Sequence, residues 1–103
     1  MIKVSVFYPS GEGKKFDINY YCEQHMPMVR KLLGDALKGI SVEHGISSME
    51  PGSAPPFLAM GHLLFESVET FHSSFGKHAQ QIVADIPNYT NSEPSIQISE
   101  VML

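Results

Sequence analysis

The sequence predicts an α+β domain of six elements in the order β-α-β-β-α-β, and three observations predict it. Residues 2–8 alternate apolar and polar, and residues 57–66 are apolar on both faces, as strands do. Residues 16–34 and 67–83 repeat apolar side chains at the i, i+3, i+4, i+7 spacing of amphipathic helices. Between them lie short stretches punctuated by Gly, Pro and Ser. With 103 residues, 43% hydrophobic and 17% charged, the whole chain (1–103) is expected to form one globular domain.

The first strand places Ile2, Val4, Val6 and Tyr8 on one face and Lys3, Ser5 and Phe7 on the other. Residues 9–13 (Pro-Ser-Gly-Glu-Gly) form a loop, and they lack the Gly spacing and following hydroxyl of a phosphate cradle. Asp17 is an N-cap for the first helix, with Phe16 and Tyr21 as a hydrophobic staple. Its inward face is expected to hold Ile18, Tyr21, Cys22, His25, Met28, Val29, Leu32 and Leu33, and Gly34 is its C-cap. Pro27 cannot donate to the Glu23 carbonyl and disfavours helical geometry at Met26, so a kink is expected at 25–27. Leu37 to Ile46 reads as the second strand, 47–56 as an exposed connection and Phe57 to Glu66 as the third strand. Ser67 caps the second helix, whose buried face reads Val68, Phe71, His72, Phe75, Ala79, Ile82 and Val83, with a bend at Gly76. A polar loop at 85–90 leads to the last strand, Ser95 to Leu103.

This order is the split βαβ, ferredoxin-like plan: a four-stranded antiparallel sheet with two helices on one face. Helices on one side leave the other sheet face open, and Phe7 with parts of the third and fourth strands would form an apolar patch there. Pairing of two copies through that face, a homodimer, is the expected remedy. A net charge of −4 and the lack of any Lys/Arg cluster argue against nucleic acid and anionic membrane as partners. The lone Cys22 excludes an internal disulfide and fits a reducing compartment. No signal-like or membrane-spanning run is present, so the expected address is the cytoplasm.

Chemistry concentrates in a few residues. His25 lies on the inward stripe beside the proline, where an imidazole titrating near neutrality can take a proton from an acidic C–H or O–H and return it elsewhere. Tyr89, flanked by Asn88 and Thr90, sits in a loop expected to fold toward the same place, where a phenol and an amide can orient a carbonyl. His25 and Tyr89 are therefore the candidate catalytic residues. Tyr8, Tyr21, Met28, Met60, His62 and Asn88 are the candidate ligand contacts. The methionines read first as gap-fillers, and His62 enters the set through the strand face it shares with Met60 and Leu64. Cys22 reads as a small buried hydrophobe. Asp17, Glu23, Glu66, Asp85 and Glu100 read as caps or surface. His44, His72 and His78 show no ligand spacing, so no metal is expected, and no dinucleotide or haem motif calls for a cofactor.

Several pieces together carry a likeness to a known family: Tyr20-Tyr21 followed by residues 25–29 (His-Met-Pro-Met-Val), Phe65-Glu66-Ser67, residues 85–90 (Asp-Ile-Pro-Asn-Tyr-Thr) and residues 97–101 (Gln-Ile-Ser-Glu-Val). By these the chain resembles the EthD family, named for ethyl tert-butyl ether degradation, within the dimeric α-β barrel superfamily. The resemblance implies a ferredoxin-like protomer, a homodimer whose sheets form a barrel, and a small-molecule cleft between sheet and helices. Relatives in the superfamily include cofactor-free monooxygenases, lactone isomerases and polyketide cyclases. The reading that follows is a small-molecule-binding protein acting without cofactor on a small cyclic or aromatic compound, as isomerase, cyclase or monooxygenase, with His25 as acid–base. The alternative is a non-catalytic accessory or binding protein of a catabolic oxygenase system.

Overall fold

Four segments with alternating side chains pair into an antiparallel sheet of order β2-β3-β1-β4 in the computed structural model, which describes residues 1–103. In chain order the elements are β1 (Ile2–Pro9), α1 (Ile18–Tyr20), a π-helical turn (Tyr21–His25), α2 (Met26–Leu33), β2 (Gly39–His44), β3 (Phe57–Phe65), α3 (Val68–Gly76), α4 (Ala79–Ala84) and β4 (Ser95–Glu100). All helices lie on one face, giving the expected ferredoxin-like architecture. In β1, Val4 pairs with Leu63, Val6 with Gly61 and Tyr8 with Ala59. On its other side Val4 pairs with Ile98 and Val6 with Ile96. Directly opposed residues share a sheet face, so these positions form the floor beneath the helices. Tyr21, Val29, Leu33, Phe65, Phe71 and Ile82 close the core above and around it.

The helix starts follow the expected chemistry. Asp17 accepts from the Tyr20 N–H at 3.0 Å, Ser67 accepts from the Thr70 N–H at 3.1 Å, and the Phe16 and Tyr21 rings meet at 5.0 Å. Gly34 ends α2 with a φ of +57°, a conformation that L side chains rarely adopt.

The proline is accommodated differently from the expected kink. The Met26 N–H donates to the Tyr21 carbonyl, a five-residue span, and Met26 keeps helical angles (φ −65°, ψ −38°). The wider π turn places Pro27 in the first turn of α2, where a missing N–H costs least. The extra residue also rotates the stripe. Cys22, expected inward, is exposed. Met26 is buried in place of Met28, which only packs at the edge of the core.

Other boundaries shift for local reasons. Residues Gly34–Ala36 form a 3-10 turn, so β2 starts at Gly39 rather than Leu37, and β4 stops at Glu100. The second helix does not merely bend at Gly76 but breaks, because His78 leaves helical geometry (φ −125°, ψ 5°). Val68, His72 and Val83, expected on the buried face, are exposed.

The far sheet face differs from the apolar patch expected of it. Ile96 and Ile98 belong to the helical side. The far face instead carries Lys3, Ser5, Gln97 and Ser99 beside Phe7, Met60 and Leu64. At its centre the His62 ring bridges Ser5 Oγ (2.7 Å from Nδ1) and Glu43 Oε1 (2.9 Å from Nε2). The patch is therefore divided by a polar cluster.

Candidate functional site

Tyrosine and histidine rings from three parts of the chain converge between sheet and helices. Tyr8 rises from the end of β1, Tyr21 and His25 from the π turn, and Tyr89 from the segment after α4. His25 lies nearly parallel to Tyr21 at 5.3 Å and tilts against Tyr89 at 4.7 Å. The Tyr8 and Tyr89 hydroxyls are 2.7 Å apart. Gly61 makes room for this cluster, since a Cβ at that position would overlap the Tyr21 hydroxyl and crowd the Met26 methyl.

The loop carrying Tyr89 is stitched to the segment before α1. Asp17 N–H donates to the Tyr89 carbonyl at 2.7 Å, Thr90 Oγ1 donates to the Lys15 carbonyl at 2.6 Å, and Ser92 Oγ donates to the Pro9 carbonyl at 2.6 Å. Asn91 completes the seam through the Gly13 carbonyl and the Lys15 N–H. Tyr89 is thus held at its own backbone, its N–H donating to the Ile86 carbonyl at 3.0 Å, and by the side chains of the three residues that follow it.

His25 is 4% exposed, and its Nδ1 lies 2.9 Å from Asp85 Oδ2. Asp85 Oδ1 accepts from the Tyr20 hydroxyl at 2.7 Å and from Asn88 Nδ2 at 2.9 Å. Burial works against the Asp85 charge, but hydrogen bonds from Asn88, His25 and Tyr20 outweigh it and hold the carboxyl below its usual value. The charged carboxylate therefore accepts the Nδ1 proton, leaving a lone pair on Nε2. Burial lowers the His25 pKa more than Asp85 raises it, so the ring is neutral at neutral pH. Nε2 has no partner within the chain, yet it is not a sealed-off orphan. Burial pushes the Tyr21 and Tyr89 phenols up, so both stay protonated donors. The Tyr20 phenol is raised chiefly by its bond to Asp85.

These groups line a cavity of about 90 Å³. Of the sixteen lining residues, fourteen are hydrophobic or tyrosine; Pro94 and His25 are the other two. Phe71, Phe75 and Leu63 form part of its apolar wall. Val83 and Ile96, 53% and 61% exposed, mark where it meets solvent.

The structure thus gathers His25, Tyr89, Tyr8 and Tyr21 in one cavity. It does not bring the other candidates there. Met60 and His62 lie on the far sheet face, because residues 59, 61, 63 and 65 of β3 face the helices. Met28 is displaced by Met26. Asn88 is exposed and reaches the site only through Asp85. Asp85 itself, read from sequence as cap or surface, is the residue that orients His25. It lies 60 residues away in the chain, and no spacing rule connects them. Gly61 did leave a signal: a glycine inside an apolar strand marks a close approach. No group of three or more His, Cys, Asp or Glu side chains is placed to hold a metal ion. No helix is long and apolar enough to cross a membrane.

The EthD domain model matches residues 10–93. The chain is similar to the crystal structure of an EthD-like protein from Ralstonia eutropha JMP134, with 44% identity and a TM-score of 0.95 over 99% of this chain and 92% of that one. It is also similar to an ethyl tert-butyl ether degradation (EthD) family protein from Bacillus halodurans C-125, with 20% identity and a TM-score of 0.68 over 99% of both chains. An antibiotic biosynthesis monooxygenase shares the fold at 10% identity and a TM-score of 0.52 over the full length of both chains. Among curated proteins, none matches the chain.

Proposed function

Because this chain belongs to the EthD domain family, we propose that it binds a small cyclic or aromatic compound in the cavity and moves a proton on it without a cofactor. The observation that carries the reading is a buried imidazole lining an apolar cavity, with Nδ1 engaged by Asp85. His25 Nε2 takes the proton from an acidic C–H or O–H, and the imidazolium formed is balanced by Asp85. The Tyr89 and Tyr8 hydroxyls supply a donor to the oxygen on which negative charge develops. Return of the proton to another atom of the same compound completes an isomerisation or a cyclisation. In a monooxygenase version, the deprotonated, electron-rich ligand reacts directly with oxygen.

The test is His25→Ala against wild type, scored for binding and turnover on phenols, lactones and polyketide-like compounds. Unchanged binding with turnover lower by about 100-fold or more supports the reading. Equal turnover removes His25 from the mechanism. Binding without turnover by wild type favours the accessory role, in which His25 only lines the cleft.

The same reading pairs two copies through the far sheet face, where Phe7, Met60 and Leu64 stay partly exposed. It places the protein in the cytoplasm, in keeping with an unpaired, exposed Cys22. Sedimentation at micromolar concentration should return twice the chain mass of 11.4 kDa; the single-chain mass would contradict the pairing.

A further inference from the structure

We propose that the cavity selects uncharged ligands, flat rings bearing one weakly acidic hydroxyl or enolisable carbonyl, and rejects carboxylates and other anions of the same size. This inference rests on the ligand-binding reading above and adds the charge of the ligand to it.

The lining contains no Lys and no Arg. Its one side chain that titrates near neutrality is His25, which burial keeps in the neutral form. Directly behind that ring stands the Asp85 carboxylate, 2.9 Å from Nδ1. An anion seated against Nε2 would meet a lone pair rather than a proton, with a second negative charge beyond it. Removing an unpaired carboxylate from water costs several kcal/mol, and the lining has no cation to offset that, only phenol hydroxyls that would answer part of it.

A neutral hydroxyl meets the opposite situation. Its O–H donates to Nε2. Tyr8 is hydrogen-bonded to both Tyr89 and Tyr21, and three phenols sharing two bonds leave one proton free to donate, so the cluster can answer the ligand's oxygen lone pairs. When the proton moves to Nε2, ligand anion and imidazolium appear together, and the new charge is born beside its counter-ion. A ligand that arrives already ionised lacks that partner. Size points the same way. An apolar cavity of about 150 Å³ accepts benzene, and one of about 90 Å³ holds most of a single ring. The remainder extends between Val83 and Ile96.

Phenol and benzoate are the probes, because they share the ring and differ in charge at neutral pH. Each is titrated into protein labelled with ¹⁵N on histidine, and the His25 ring nitrogens are followed. Phenol should shift Nε2 and bind at least about tenfold more tightly than benzoate, about 1.4 kcal/mol. A cation at the mouth, Val83→Lys at a half-exposed position, should raise benzoate affinity relative to phenol. Benzoate binding as tightly as phenol to wild type, with the same His25 shifts, would overturn the charge selection while leaving the ligand-binding reading intact. If neither probe moves His25 at millimolar concentration, both fall together.

Discussion

Two histidines on opposite sides of one sheet make the same contact in different surroundings. His25 and His62 each place a ring nitrogen 2.9 Å from a carboxylate oxygen, of Asp85 and Glu43 respectively. On the far face the second nitrogen of His62 is also taken, by Ser5 Oγ, and Glu43 is half exposed. On the helical face the second nitrogen of His25 has no partner in the chain, its carboxylate is nearly buried, and a cavity adjoins the ring. A carboxylate–imidazole pair is therefore no signature of chemistry by itself. What separates the two is whether a nitrogen remains for a third party and whether water is kept from it.

The largest expected difference is in turnover. His25→Ala should lower it by about 100-fold or more, whereas His62→Ala should leave it unchanged and cost only about 1 kcal/mol of stability, from stranding buried Ser5. Equal losses of activity in both variants would erase the distinction. Next comes Gly61→Ala, in which a methyl collides with the Tyr21 hydroxyl. Overpacking of this kind destabilises by about 1–3 kcal/mol, readable as a lower denaturation midpoint; unchanged stability would mean the Tyr21 ring is not pinned over β3. Tyr8→Phe removes one partner of the buried hydroxyl pair and should cost about 1 kcal/mol, measured in the same way.

Acid should act through the helical face. The His25 pKa is lowered from 6.5 on folding, so protonation favours the unfolded chain, and stability drops as pH falls below about 6.5. The Asp85 pKa is lowered from 3.8, so its contribution is present above that value and is lost as pH falls through the folded pKa. Both groups make stability rise with pH in their own windows, and His25→Gln should abolish the upper one. Smallest of all is Glu43→Gln, expected to change stability by less than about 0.5 kcal/mol, since an exposed partner contributes little.

The fold was legible because its signals are local. Asp17, Ser67 and Gly34 mark helix ends by capping chemistry that acts within four residues, and the period-two pattern of β1 survives intact. The site was legible only where it shared those signals. His25 was found because it interrupts an apolar stripe, and Tyr89 because it sits in a loop of hydrogen-bonding residues. Asp85 reads as surface in the sequence because its partners, Tyr20 and His25, lie 65 and 60 residues away. The sequence assigns Met60 and His62 to the cleft because β3 is apolar on both sides, and alternation alone does not say which side faces the helices. An ideal helical wheel puts Cys22 and Met28 inward, and the structure does not. The π turn adds a residue to one turn and moves Met26 inward.

Heteronuclear NMR of the His25 ring nitrogens across a pH titration tests the state of the cavity-facing imidazole most directly. The expected result for His25 is a neutral ring with its proton on Nδ1 and a midpoint below 6.5. A proton on Nε2, or a midpoint above 6.5, would contradict the assignment of His25 as the base that faces the cavity.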